Sequence, residues 1–189
     1  GNLGLIYHSQ GRLLEAYPFL TNARDIAPDN LLYRSKLGTL LHQAGKPQEA
    51  WDEALFILEK DPVNPTALFL FQAASVSLQK MDDARIRLDA LHSSNPSAAT
   101  VVALGMLDAI GSDFESAEKR FQEALSLDPE LGEAHTAMGS LHWARGDQEA
   151  ADAAYAKAFE LANGDASKRF LYAQFKSRTG EAESAAKLV

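Results

Sequence analysis

An alanine returns at almost fixed intervals along this chain: Ala16, Ala50, Ala84, Ala117, Ala151 and Ala185 are separated by 34, 34, 33, 34 and 34 residues. Four positions after these alanines stand Leu20, Ala54, Leu88, Phe121, Tyr155 and Val189, all but one of them large and apolar. Prolines return in phase at Pro28, Pro62, Pro96 and Pro129. A period of this length means that one supersecondary unit is repeated and that each copy buries its apolar face against the next. Within each period a pair such as Leu3-Gly4, Leu37-Gly38, Leu104-Gly105 or Met138-Gly139 ends twelve residues ahead of the alanine. A second glycine follows at Gly11, Gly45, Gly146 and Gly180, with Gly111 one place early. Small residues at the first glycine and the alanine let two helices approach closely. The second glycine accepts a turn conformation that a Cβ resists, and a proline can begin a helix without wasting an N–H.

This ladder resembles the tetratricopeptide repeat, and its best single match is the segment from Gly146 to Leu161. The resemblance implies an all-α, right-handed superhelical solenoid of antiparallel helix pairs, one array over 1–189, with repeats at about 1–30, 31–64, 65–97, 98–131, 132–165 and 166–189. Helices are expected near 1–9, 12–26, 31–44, 47–60, 65–79, 81–93, 98–110, 113–127, 132–144, 147–161, 166–178 and 181–189, with no strands. The first and last repeats read as incomplete, so the chain is expected to be a fragment of a longer protein. Departures from the pattern include Gln72 in place of a glycine, a missing turn glycine in the third repeat, and Asn163 in place of a proline. The usual aromatic at position eleven survives only as Tyr7 and is replaced by Leu41, Ser75, Asp108, His142 and Lys176.

Composition narrows the function. A formal net charge of −8 argues against a surface that tracks phosphates, so nucleic acid is not an expected partner. With no cysteine there are no disulfides, thiolate nucleophiles or Cys-based zinc sites. No apolar run approaches the ~20 residues of a membrane-crossing helix, so no membrane insertion is expected. The chain reads as soluble, and cytoplasm and periplasm remain open.

Nothing in the sequence reads as chemistry. Phosphate loops, GxSxG and HExxH are absent, and the one SxxK, Ser116 to Lys119, lies on an expected helix. None of the five histidines has a second ligand at a metal-binding spacing. His8 and His42 share position twelve and read as polar lining residues. Asp108 and His142, at position eleven of neighbouring repeats, are expected to form a structural hydrogen bond, because a half-buried carboxylate needs a partner. The reading is therefore no enzyme, no metal and no cofactor.

The resemblance implies that function lies on the inner face lined by the first helix of each repeat. The residues it assigns there are Thr39, His42, Phe69, Ala73, Val76, Val102, Met106, Ile110, Thr136, Ser140, Trp143, Phe170 and Gln174. Only Glu133 and Arg178 are charged among the inner-face positions, and the Lys and Asn of the carboxylate-gripping members are missing from them, as is the asparagine ladder of the sugar-transferring members. The expected function is a scaffold that binds a protein or peptide, as an apolar segment or an amphipathic helix. Two alternatives are a substrate-recruiting arm of a larger enzyme or assembly, and self-association.

Overall fold

The computed structural model describes residues 1–162 and 166–188, so the expectations for Asn163 and Val189 lie outside the described residues. Its elements, all helical among those residues, are α1 (Asn2–Ser9), α2 (Leu13–Ile26), α3 (Leu31–Gln43), α4 (Pro47–Lys60), α5 (Pro65–Ser77) and α6 (Met81–Ser94). There follow α7 (Ala98–Ile110), α8 (Phe114–Leu127), α9 (Gly132–Ala144), α10 (Gln148–Glu160), α11 (Ala166–Arg178) and α12 (Ala182–Leu188). Each expected helix is present, with its ends displaced by two residues at most. Two compact units form, Gly1–Asn95 with α1 to α6 and Pro96–Val189 with α7 to α12.

Local chemistry explains the helix boundaries. Asn30, Asn64 and Ser97 cap α3, α5 and α7 by accepting from backbone N–H groups of the first turn, and Asp113 and Asp147 do the same for α8 and α10. The in-phase prolines do not open helices as their spacing suggested. Pro28, Pro62, Pro96 and Pro129 sit in the connections, while Pro47 and Pro65 take the first helical position.

The periodic small residues bring the helices of a pair together. Ala16, Ala50, Ala84, Ala117 and Ala151 are fully buried, at 0% exposure. A Cβ added at Gly105 would come within 2.6 Å of the Phe121 ring, and one at Gly139 within 2.9 Å of Tyr155, which is why a glycine stands opposite an aromatic in those pairs.

The turn inside each pair needs a left-handed residue. Gly11, Gly45, Gly146 and Gly180 supply it with φ between 69° and 87°. The third and fourth repeats use Gln79 (φ 56°) and Ser112 (φ 64°) instead. Gly111, which the sequence suggested as the turn glycine, has an ordinary φ of −72°, so the helical register is kept at the expense of a strained serine. Because that conformation costs a residue with a Cβ roughly 1 kcal/mol, Ser112→Gly is expected to stabilise the protein by about 0.5–1 kcal/mol in urea unfolding. A loss of stability would mean that the serine side chain makes a compensating contact.

In the first unit, Ala16, Leu20, Leu37, Leu40, Leu41 and Ala50 form a core under Tyr7, Tyr17 and Tyr33. Trp51 stacks on Phe71 at 4.0 Å between ring centroids. The second unit packs Val101, Val102, Ala117, Phe121, Ala124, Ala134, Ala137 and Leu141 together, and a second cluster joins Ala151, Tyr155 and Phe175.

Candidate functional site

Within the first unit α1, α3 and α5 touch one another in sequence, and in the second unit α7 touches α9, so the first helices of the pairs form a common face in each unit. In the first unit this face presents Leu32, Phe69 and Val76 at 51%, 47% and 37% exposure. His42 of α3 meets the Phe69 ring edge-on at 5.7 Å, and Thr39, whose hydroxyl donates to the Ser35 carbonyl, stands one turn before it half-buried. Ala73 is half-buried between Phe69 and Val76 on α5. Of the five residues assigned here, Phe69 and Val76 are exposed and Thr39, His42 and Ala73 half-buried, with His42 and Phe69 in contact.

The second unit divides its assigned residues differently. Ile110 is 45% exposed and Phe170 62%, with Met106 and Gln174 half-buried. Val102 is 5% exposed and belongs to the core beside Phe121, so it offers no surface to a ligand. Thr136 donates to the Gly132 carbonyl and Ser140 to the Thr136 carbonyl, while the Ser140 and Tyr155 hydroxyls lie 2.9 Å apart. Trp143 is half-buried and already surrounded: Phe175 is 5.2 Å away edge-on, Tyr155 6.5 Å, and the Arg178 guanidinium 5.4 Å from the ring. Its side chain packs one repeat on the next instead of standing open in a groove.

Position eleven carries polar groups that repeat periodicity does not explain. The Asp108 carboxylate, 5% exposed, pairs with Arg120 Nε at 2.8 Å, so its charge is met by the second helix of its own pair and not by His142. Ser75, fully buried, donates to the Gln72 carbonyl. Lys176, 8% exposed, reaches Asp152 at 2.7 Å and Glu181 at 3.0 Å. Burial works to lower the Lys176 pKa, but these two carboxylates outweigh it and hold the ammonium well above its ordinary value.

A further network was invisible in the sequence. Glu53 of α4, 4% exposed, accepts from Arg24 of α2 at 2.9 Å and from Arg34 of α3 at 2.6 Å, and the Arg34 guanidinium lies 3.5 Å over the Phe56 ring. Glu53 directly follows the exposed Asp52 in α4, and nothing in the sequence sets the buried acid apart from its neighbour.

His8 of α1, at position twelve of the first repeat, has its pKa lowered below 6.5, first by burial and then by the charge of Lys36 on α3. The unfolded chain therefore binds the proton more readily than the native one. This contribution to stability is fully present above pH 6.5 and is lost as pH falls through the depressed native value. In an NMR titration His8 is expected below 6.5, and Lys36→Met should bring it part of the way back, because burial remains. A native value at or above 6.5 would contradict the placement of both side chains.

Residues 132–165 match the tetratricopeptide repeat family model. No curated protein matches the sequence. Among solved structures, a thermophilic tetratricopeptide repeat protein of Thermus thermophilus is similar at 22% identity, with 92% of this chain and 95% of that one covered and a TM-score of 0.70. A tetratricopeptide repeat protein of Parabacteroides merdae is similar at 23% identity over 99% of this chain and 73% of its own, TM-score 0.67. A type IV pilus biogenesis factor, PilW, superposes at 16% identity over 99% and 87%, TM-score 0.60. At these identities the likeness is one of fold.

Proposed function

We propose that the chain, one of whose repeats matches the tetratricopeptide model and whose fold is like that of tetratricopeptide repeat proteins, is a protein–protein interaction scaffold that binds an apolar peptide segment or amphipathic helix along the first helices of its repeats. Proteins of this kind are in general non-catalytic, and no helix is long and apolar enough to cross a membrane among the described residues. The observation that carries the reading is the exposure of Leu32 on α3 and of Phe69 and Val76 on α5, two first helices of the first unit that pack against each other. Exposed apolar side chains that adjoin on one face are a common mark of a docking site. A helix or strand of the partner would bury them, with His42 flanking Phe69.

A random 12-residue peptide display library selected on the immobilised chain tests the proposal. Peptides rich in large apolar residues are expected, and Phe69→Ala should weaken a selected peptide about tenfold, in line with the loss of a central aromatic contact. Because Phe69 is 47% exposed, helical content should be retained. Failure to enrich any peptide, or affinities indifferent to Phe69→Ala and Val76→Ala, would overturn it.

A further inference from the structure

The third helix pair, α5 with α6, lacks the features that close the others. In three other pairs a glycine of the first helix faces a large side chain of the second. A Cβ added there would come within 3.0 Å of Leu20 at Gly4, 2.6 Å of Phe121 at Gly105 and 2.9 Å of Tyr155 at Gly139. α5 carries Gln72 at the equivalent place, and the same spacing sets it opposite Leu88 of α6. Gln72 is 3% exposed, so an amide side chain is buried where those pairs hold only a hydrogen. A side chain of that size between two helices keeps them from packing closely.

The rest of α6 shows the same loose seating. It buries only Ala84 and Leu88, whereas α4 buries six residues, Trp51, Ile57 and Leu58 among them. Its Ile86 is 68% exposed. The turn into α6 holds Gln79 in the left-handed region at φ 56°, where the other two pairs of this unit use Gly11 and Gly45. His92 Nδ1, in the last turn of α6, is buried with no hydrogen-bond partner among the described residues, so seating the helix leaves that nitrogen without water. Each of these penalties is relieved when α6 leaves α5. α8 also follows a left-handed turn residue, Ser112, but it keeps the close contact of Gly105 with Phe121.

We propose that α6 is a detachable helix, which lifts from α5 and reseats as one unit while α1 to α5 stay folded. Local opening of this kind belongs to elements with little buried apolar surface. The open form hydrates Gln72 and His92, relaxes Gln79 and uncovers the side of α5 on which α6 sits. α4 has no such freedom, because Glu53 ties it to Arg24 of α2 and Arg34 of α3. The inference is independent of the peptide-binding reading.

Native-state amide hydrogen exchange of the whole 15N-labelled chain, under conditions where exchange follows the population of the open form, tests it. Amides of α6 are expected to be protected about tenfold less than those of α4 and α8. Gln79→Gly should raise the protection of α6 about threefold by removing strain that only the closed form bears. Gln72→Ala should raise it as well, because a small residue lets Leu88 seat closer, and neither change should alter α2 or α4. Of the two variants Gln72→Ala decides, since relief at Gln79 follows from the turn alone. Protection of α6 equal to that of α4 would overturn the inference. So would a Gln72→Ala protein in which α6 is less protected or unchanged, or one that does not fold, since the amide would then be holding the pair together.

Discussion

Glu53→Ala is expected to destabilise the protein by about 3 kcal/mol, the largest effect of any single substitution outside the apolar core. Glu53 is 4% exposed and its two oxygens hold Arg24 and Arg34, so that α2, α3 and α4 meet at one carboxylate. Removing it leaves the Arg34 guanidinium, whose side chain is 12% exposed, with its charge uncompensated above Phe56. Arg24, at 30%, can turn to water and to Asp25, so Arg24→Ala should cost distinctly less, about 1 kcal/mol. Glu53→Gln keeps the shape and some hydrogen bonds and should fall between the two. Urea unfolding of the three variants gives the order directly. If Glu53→Ala proved harmless, water or the freed arginines would be filling the site, and the network would hold nothing together.

Trp143→Ala is expected to destabilise by about 2–3 kcal/mol, below the usual range for a fully buried tryptophan because this one is half-buried. The loss falls between α9 and its neighbours, since the ring lies against Tyr155 of α10 and Phe175 of α11. Arg178→Ala, which removes only the cation over the ring, should cost about 0.5 kcal/mol. A peptide that docks on Phe69 should bind the Trp143→Ala protein as well as it binds the parent, provided that the measurement is made below the lowered melting temperature. Normal stability with a selective loss of peptide binding would restore Trp143 as an anchor.

The helices could be read from the sequence because the ladder that sets them is local. Gly4, Gly38, Gly105 and Gly139 and the alanines twelve residues on mark where two helices must touch, and the caps Asn30, Asn64 and Ser97 mark where the next begins. What the period hides is which residue answers which across helices. Asp108 finds Arg120 twelve residues later on the facing helix, where repeat equivalence pointed to His142. Glu53 finds partners 29 and 19 residues earlier, and nothing in a 34-residue pattern marks those positions as charged. The same limit applies to the candidate site. Position numbers place Phe69, Val76 and Trp143 on first helices alike, but whether a side chain is open depends on its neighbours. Trp143 has aromatic residues on α10 and α11 to cover it, Val102 falls into the core, and Phe69, with His42 at its edge, stays 47% exposed.

The central claim, that a partner segment lies along the first helices, is tested most directly by recording amide chemical shifts of the 15N-labelled chain as a library-selected peptide is added. The account predicts that the largest changes gather on α3 and α5, around His42, Phe69 and Val76. The outward apolar residues of the second helices, Leu14, Ile26 and Ile86, which are 91%, 80% and 68% exposed, should be unmoved. Shifts centred on Leu14, Ile26 or Ile86, with α3 and α5 silent, would contradict it.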